Sequence, residues 1–242
     1  SREEKEQMEA VWTYEKARKA LDEDADYHRD IESNEINSYI YNEDTIKKVL
    51  QDLMWRKNVT YIIGNHDYLF LYFIRKLKND LSEVHNFSEE DITDFKAYLG
   101  DGGAITLEQY MQLSEDERKA VCEYLENANV YDVIKDGRKK YILTHAGISG
   151  FCETKPLEEY DFLDFICDRM DYGKRYFRDE SVYIITGHTP TVFINPDASC
   201  NVFMNYGHIA IDCGCVYGGK LAGYCIEIGN VIYVDAKEKY CG

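Results

Sequence analysis

The spacing of apolar residues changes once along the chain, from a helical pattern to short continuous runs. In the first half, apolar residues recur every three or four positions at residues 1–35, 45–55 (TIKKVLQDLMW) and 69–77. This spacing places them on one face of a helix and predicts three amphipathic helices. Between the last two helices, the run VTYII at residues 59–63 predicts a buried strand. The first half is therefore predicted to be mainly helical.

Two further helix starts are predicted in the middle of the chain. Ser88 is followed three residues later by Asp91, and Ser114 is followed three residues later by Glu117. Both pairs have the form of a capping box, in which each side chain binds the other residue's backbone N–H group. The sequence Asp-Gly-Gly at residues 101–103 predicts a break between the two helices.

The second half of the chain consists of short apolar runs bounded by turn residues. From residue 140 onward these runs are YILT, VYIIT, HIAID, GYCIEI and VIYV. Their length and their content of Ile, Val and Tyr predict β-strands, and a turn at Gly229-Asn230 predicts that the last two form a hairpin. Early helices, late strands and an interleaved middle predict an α/β (α+β) fold around a mixed sheet, as one domain over residues 1–242.

Composition and charge restrict the classes of partner. The chain has 242 residues, of which 45% are hydrophobic and 30% charged, an ordinary globular mixture that can bury a core. Its formal net charge of −17 repels nucleic-acid backbones and anionic lipid, which predicts neither nucleic-acid nor membrane partners. A phosphate-binding pocket is still compatible with this charge, because a bound metal reverses the local electric field.

The compartment is predicted from the cysteines and from the start of the chain. The eight cysteines include no CxxC pair, and the initial sequence SREEKEQMEA lacks the basic and then apolar pattern of a secretory signal. No apolar run reaches the length of about 20 residues that spans a bilayer. We therefore expect a cytoplasmic protein with reduced thiols.

Three short segments place a histidine directly after an apolar run. They are YIIGNHD at residues 61–67, YILTHAG at residues 141–147 and VYIITGHTP at residues 182–190. Side chains at strand ends project into the cleft at a sheet edge, where α/β proteins bind ligands. Imidazole nitrogens and an asparagine oxygen are suitable ligands for Mn, Fe or Zn. A single histidine at a strand end is more often a structural residue, but three of the chain's 6 histidines at strand ends predict a ligand site.

The motifs GNHD, THAG and GHTP, in this order, resemble the later signature motifs of the calcineurin-like metallophosphoesterases. The resemblance is to the bacterial serine/threonine phosphoprotein-phosphatase-like branch and extends over residues 44–234, whereas residues 1–43 diverge from the family pattern. It implies a four-layer sandwich, in which two mixed β-sheets flanked by helices hold two divalent metal ions at the sheet edge. It also implies manganese as the metal, with iron or zinc as alternatives.

The resemblance assigns roles to the residues of the three motifs. Asn65, His145 and His188 would ligate the second metal ion. His66 would protonate the leaving group, and Asp67 would orient the imidazole of His66.

A phosphate-binding arginine is also implied by the resemblance. Relatives place it in a region that corresponds to residues 169–178, where this chain has four basic side chains. We select Arg175, although charged side chains in this region are equally compatible with a solvated surface.

The first two family motifs, Asp-x-His-Gly and Gly-Asp-x-x-Asp-Arg-Gly, are not found intact. When the flanking helices are aligned, Glu9 falls on the first motif, and Ser38 and Asn42 replace the bridging aspartate and the arginine of the second. Residues 26–28 spell Asp-x-His, but no apolar strand precedes them. The number of metal ions bound by this chain is therefore left open as two, one or none.

Three functions are compatible with these motifs. The first is a metal-dependent phosphoesterase that hydrolyses phosphoserine, phosphothreonine or small phosphate monoesters with a metal-activated water. The second is a catalytically impaired pseudophosphatase that binds a partner. The third is a dinucleoside-polyphosphate hydrolase that uses the same site. The expected partner is a phosphoprotein or a small phosphate ester.

Overall fold

The structure is a computed structural model that describes residues 49–236. The helix predicted at residues 1–35 and the segment expected to carry the first two motifs lie outside the described residues. The described chain separates into two compact units: unit 1 comprises residues 49–59 and 66–127, and unit 2 comprises residues 60–65 and 128–236. The single domain over the whole chain stays a prediction.

Unit 1 is built from helices. They are α1 (Gln51–Trp55), α2 (Asn65–Leu77, whose first residue belongs to unit 2), α3 (Glu89–Tyr98), α4 (Ala104–Met111) and α5 (Glu115–Glu126), with a 3₁₀ helix at Leu81–Asn86. Both predicted capping boxes are confirmed, because the side chains of Ser88 and Ser114 accept the backbone N–H of the residue three positions later, and their own backbone N–H groups donate to the carboxylate of that residue. The predicted break is also confirmed, with Gly102 at a φ of 89°.

Aromatic side chains form the core of unit 1. The ring of Phe73, which is 1% exposed, lies 4.8 Å from that of Phe95 and 5.5 Å from that of Tyr98. Nearby, the rings of Phe70 and Tyr110 meet edge to face at 4.9 Å. Such pairs stabilise a core beyond the area that they bury. The helical spacing of apolar residues at 69–77 therefore corresponds to the buried face of α2.

Unit 2 is built around a five-stranded mixed sheet. The strands are β1 (Tyr131–Asp136), β2 (Lys139–Thr144), β3 (Val182–Thr186), β4 (Phe203–Asn205) and β5 (His208–Ala210), in the spatial order β1-β2-β3-β5-β4. The three central strands β2, β3 and β5 are parallel, and the edge strands are antiparallel to their neighbours. A short helix, α6 (Leu163–Ile166), lies in the connection from β2 to β3.

A second sheet consists of β6 (Lys220–Cys225) and β7 (Asn230–Asp235), which pair in antiparallel orientation. The predicted hairpin is confirmed, and Gly229 ends its turn at a φ of 67°. The predicted α/β class with two sheets is thus confirmed. The second sheet is antiparallel because its two strands are joined by a short turn.

The hairpin and the mixed sheet share a core in unit 2. Tyr141, Ile185 and Ile209 are buried on one face of the mixed sheet, and the partly buried Tyr224 and Ile226 pack against them. The alternation of side chains along each strand directs these residues to the same face.

The strand predicted at residues 59–63 is reduced to a single bridge. Ile62 pairs with Asn129 in parallel orientation, and the backbone N–H of Ile63 donates to the carbonyl oxygen of Asn129 at 2.9 Å. The prediction of a full strand was wrong because residues 59–63 pair with the segment around Asn129 at one residue only. The bridge nevertheless fixes the position from which Gly64 and Asn65 continue.

Among residues 49–236, no helix has the length and apolar character needed to cross a bilayer. The cysteines within the described range are not joined in disulfides.

Candidate functional site

The carboxyl ends of the parallel strands meet at one edge of the mixed sheet. Thr144 at the end of β2 pairs with Thr186 at the end of β3, and Thr186 pairs with Ala210 at the end of β5. The residues that follow these ends are therefore brought side by side, which is where open α/β sheets bind ligands. His145 follows β2 directly, and His188 follows β3 after one glycine.

The two histidines converge at this edge. Their ring centroids lie 5.0 Å apart, with an angle of 60° between the ring planes. The backbone supports this approach, because the N–H of Gly187 donates to the carbonyl oxygen of His145 at 2.9 Å. The two imidazoles can therefore face one ligand.

Asn65 joins His145 from the segment that bridges to Asn129. The side-chain oxygen Oδ1 of Asn65 lies 2.9 Å from Nε2 of His145, so that a proton on Nε2 donates to the amide oxygen. Gly64 permits this contact, because a β-carbon at that position would stand 2.7 Å from Cε1 of His145. The structure thus brings together the three residues that the resemblance assigns to a metal ion.

His188 has an unusual backbone conformation. Its φ is 62°, in the left-handed region that few residues other than glycine adopt. The turn is held by a bond from Thr189 N–H to the carbonyl oxygen of Gly187 at 2.6 Å, and by one from Thr191 N–H to that of Asp212 at 2.7 Å. A conformation that costs of order 1–3 kcal/mol persists where the surroundings impose it, often at functional sites.

The trio fits part of a divalent-metal site. Two imidazole nitrogens and one amide oxygen are donors that Mn, Fe or Zn accept, but together they carry no negative charge. Within residues 49–236, no group of three or more His, Cys, Asp or Glu side chains is arranged to hold a metal. A cation bound by Asn65, His145 and His188 would therefore need further ligands, such as water or a substrate phosphate. The segment that the resemblance aligns with the first two motifs lies within residues 1–43, outside the described range.

His66 and Asp67 lie in the first turn of α2. Nε2 of His66 lies 3.1 Å from a carboxylate oxygen of Asp101. This hydrogen bond is the largest cause that raises the pKa of His66, burial opposes it, and the charges of Asp101 and Asp67 add smaller increases. Asp101 is therefore a carboxylate in contact with His66, and the orienting role assigned to Asp67 stays a prediction.

Asp101 was recognised in the sequence only as part of a helix break. The kink at residues 101–103 is also the feature that places the carboxylate against His66 within unit 1. An acidic residue beside a predicted Gly-Gly break was the only signal, and it does not specify a partner 35 positions earlier in the chain.

Arg175 does not join Asn65, His145 and His188. Its guanidinium group lies beside Gly207, which precedes β5, and beside the backbone of Val182, the first residue of β3. It is therefore at the amino ends of the parallel strands, opposite the edge where the histidines meet. Its assignment to the phosphate of the reacting substrate stays a prediction that this position does not favour.

His208 and Asp212 have local partners. The ring of His208 is 2% exposed, and its Nε2–H donates to the carbonyl oxygen of Lys174 at 2.9 Å. The carboxylate of Asp212 accepts the N–H of Gly214 at 3.0 Å and so closes the following turn. These bonds agree with the structural role expected for His208.

The chain is similar to proteins that hydrolyse dinucleoside tetraphosphates. It is 28% identical over 212 residues to the asymmetrical bis(5'-nucleosyl)-tetraphosphatase PrpE of Oceanobacillus iheyensis, and the match covers 81% of this chain and 74% of that protein. No protein-family model matches the sequence.

Two solved structures are similar to part of this chain. A candidate diadenosine tetraphosphatase matches with a TM-score of 0.47 and 18% identity over 84% of this chain and 78% of that one. A protein of Pyrococcus horikoshii OT3 without a stated activity matches with a TM-score of 0.36 and 12% identity over 82% of this chain and 70% of that one.

Proposed function

We propose that this chain is a metal-dependent hydrolase of dinucleoside polyphosphates. The observation that carries the proposal is the convergence of Asn65, His145 and His188 at the carboxyl edge of the parallel strands. The similarity to PrpE over 81% of the chain directs the choice of substrate toward phosphate anhydrides that link two nucleosides. The phosphoserine or phosphothreonine activity first expected from the motifs becomes the second candidate.

In the proposed reaction, water attacks one phosphorus atom of the polyphosphate. A new P–O bond forms to the water oxygen, the P–O bond of the anhydride breaks, and the leaving nucleotide keeps the bridging oxygen. Asymmetrical cleavage of a tetraphosphate in this way releases a nucleoside monophosphate and a nucleoside triphosphate. A divalent cation, when bound, would withdraw charge from the phosphoryl oxygens and lower the pKa of its water.

The residues of the chain would bind and orient the reacting groups. Asn65, His145 and His188 would supply neutral donors for the cation, and a cation is needed because a chain with a net charge of −17 repels a polyphosphate. Because Gly64 has no β-carbon, the imidazole of His145 would stay within hydrogen-bond distance of Asn65. Positioning of this kind accounts for a large part of the rate enhancement in enzymatic phosphoryl transfer.

His66, the next residue along the chain after Asn65, is proposed as the proton donor to the leaving oxygen. Its Nε2 is held by Asp101 at 3.1 Å, which favours the protonated imidazole. A phosphate leaving group is a much weaker base than the alkoxide of a phosphomonoester. We therefore expect loss of the His66 side chain to slow monoester hydrolysis more than anhydride hydrolysis.

The test compares two substrates on the purified full chain. After treatment with EDTA and addition of Mn²⁺, hydrolysis of diadenosine tetraphosphate and of p-nitrophenyl phosphate is followed by product analysis. We expect the dinucleotide to be the better substrate, and we expect His145→Ala and His188→Ala each to lower its kcat/KM by about 100-fold. His85→Ala is the matched control, because His85 is exposed and lies in a different unit from the two tested histidines.

Three results would contradict the proposal. Faster hydrolysis of the monoester would favour the phosphatase activity. Equal rates for the His145→Ala variant and the unmodified chain would exclude the trio from the reaction. Absence of turnover with Mn²⁺, Fe²⁺ and Zn²⁺ would favour the pseudophosphatase.

A further inference from the structure

A cavity of about 260 Å³ lies in unit 2, at the amino ends of the parallel strands. It is separated from the candidate metal site by the length of β3, roughly 15 Å for five residues. Its lining includes two cations and four tyrosines: Lys139, Arg175, Tyr141, Tyr183, Tyr206 and Tyr224. Its volume is at the small end for ligand pockets, which suits one mononucleotide and not two.

Two basic side chains line this cavity of an acidic protein. Lys139 and Arg175 both line it, and none of the described lining residues is an aspartate or glutamate. The nearby Asp179 accepts hydrogen bonds from the backbone N–H and the hydroxyl of Ser181, at 2.9 and 2.7 Å. The Asp179 carboxylate interacts electrostatically with Arg175 but does not line the cavity. The lining itself presents two cations, which is a suitable environment for an anion.

Arg175 has a buried donor without an acceptor. Its nitrogen Nη1 is shielded from solvent and has no hydrogen-bond partner. A buried donor left unpaired costs free energy, and a guanidinium group binds phosphate oxygens well. Nη1 itself is packed against Gly207, but Arg175 as a whole is partly exposed and lines the cavity, where its guanidinium group can bind a phosphate oxygen.

Gly207 makes room for the guanidinium group. A β-carbon at this position would stand 2.8 Å from Nη1 of Arg175, and the φ of 80° is one that side chains rarely adopt. Because Gly207 has no side chain, the turn between β4 and β5 leaves space for Arg175 beside the cavity.

Three of the four tyrosines have exposed surface for a planar ring, namely Tyr183, Tyr206 and Tyr224, whereas Tyr141 is 1% exposed. The rings of Tyr141 and Tyr183 are stacked at 5.3 Å, and Nζ of Lys139 lies 5.9 Å from the centre of the Tyr183 ring. Tyr206 is 49% exposed at the cavity. Nucleobases of every type stack on such aromatic rings.

We propose that this cavity binds a nucleoside monophosphate, with its phosphate at Arg175 and Lys139 and its base against the tyrosines. This site is separate from the candidate metal site at Asn65, His145 and His188. The inference goes beyond the proposed hydrolysis, because it assigns a second site to the opposite edge of the same sheet.

The test measures AMP binding to the full chain by isothermal titration calorimetry in the presence of EDTA. We expect saturable binding that Arg175→Gln and Lys139→Gln each weaken by about tenfold, the loss typical of one charged hydrogen bond. Arg178→Gln is the matched control for Arg175, because the Arg178 side chain is 95% exposed. Lys135→Gln serves the same purpose for Lys139. We expect both controls to bind within twofold of the unmodified chain.

Two further variants distinguish the binding of the base from that of the phosphate, and the cavity from the candidate metal site. Tyr206→Ala should weaken AMP binding and leave the binding of inorganic phosphate unchanged, because Tyr206 would contact only the base. His145→Ala should retain full affinity for AMP. If Arg175→Gln fails to fold, as judged by circular dichroism, the exposed Lys139 and Tyr206 variants still decide the outcome.

The proposal is overturned if AMP shows no saturable binding, or if His145→Ala abolishes binding that Arg175→Gln retains. Equal affinity for inorganic phosphate and AMP would overturn the role of the tyrosines. These results are independent of hydrolysis, which is measured with Mn²⁺ and a different substrate.

Discussion

Gly64 lies against the imidazole of His145, so closely that a β-carbon at residue 64 would stand 2.7 Å from Cε1 and 2.9 Å from Nδ1. The two residues are 81 positions apart, and the bridge between Ile62 and Asn129 brings their segments together. The glycine of the GNHD motif is therefore required by the space that a histidine from another segment occupies. The hydrogen-bond distance between Asn65 and His145 depends on this close approach.

Gly64→Ala should disturb the candidate site without unfolding the chain. The added methyl group must displace the ring of His145, and displacements of about 1 Å lower catalytic rates by about 100-fold. We expect kcat/KM for diadenosine tetraphosphate to fall by about tenfold to 100-fold. Gly223→Ala is the control, because a β-carbon there meets no atom within 4 Å. An unchanged rate for Gly64→Ala would show that the ring position is not needed.

Asp101→Asn should lower the pKa of His66. The hydrogen bond to Asp101 is the largest of the causes that raise this pKa, and burial of the ring acts in the opposite direction. The variant is measured by an NMR pH titration of the His66 ring in EDTA. Asp67→Asn is the comparison and should have a smaller effect, since the charge of Asp67 raises the pKa of His66 less than Asp101 does. A larger shift for Asp67→Asn would contradict the assignment.

Burial of His208 should make the stability of unit 2 depend on pH. Burial is the main cause that lowers the pKa of His208, while the carbonyl oxygen of Lys174 and the charge of Asp171 oppose it and Arg175 adds to it. The unfolded chain, with an ordinary histidine pKa of about 6.5, therefore binds more protons below that pH than the folded chain does. This contribution to stability is present above pH 6.5 and is lost as the pH falls.

The measurement is urea unfolding at pH 5 and pH 7.5. We expect the unmodified chain to lose more free energy of unfolding at pH 5 than His208→Gln, because the variant has no imidazole to protonate. His85→Gln, at an exposed position, should behave like the unmodified chain. An identical pH dependence for His208→Gln and the unmodified chain would contradict the prediction.

Ser114→Ala should lower the stability of unit 1 by about 1 kcal/mol, the usual cost of losing a helix cap. The hydroxyl of Ser114 accepts the N–H of Glu117 and donates to its carboxylate at 2.8 Å. Chemical denaturation measures the loss. Lys119→Ala on the same helix is the control, since that side chain is 74% exposed, and it should change stability by less than about 0.5 kcal/mol. Equal losses for both variants would contradict the role of the cap.

Local sequence was sufficient for the elements whose signals lie within a few residues. Ser88 and Ser114 start helices as predicted, because a capping box involves residues only three positions apart. The late strands and the hairpin were also predicted, since alternation and turn residues are local features. The strand at residues 59–63 was overpredicted, because its partner is a distant segment that pairs at one residue only.

The candidate site was only partly predictable. Three histidines after apolar runs indicated a common edge, and the parallel pairing of β2 with β3 places two of them, His145 and His188, together. The partner of His66 was not predictable, because the contact with Asp101 depends on the path of the chain through the kink at residues 101–103.

The sequence by itself determined which residue types follow the strand ends, because apolar runs and the residues beside them are local patterns. Only the tertiary structure decided which of those residues meet. The register of the parallel strands brings His145 to His188, and the bridge between Ile62 and Asn129 brings Asn65 to His145. Arg175, in the connection that leads to β3, lies at the opposite edge of the sheet. The physical reason is that strand pairing joins segments far apart in the chain, and neither its register nor its direction is encoded in any one segment.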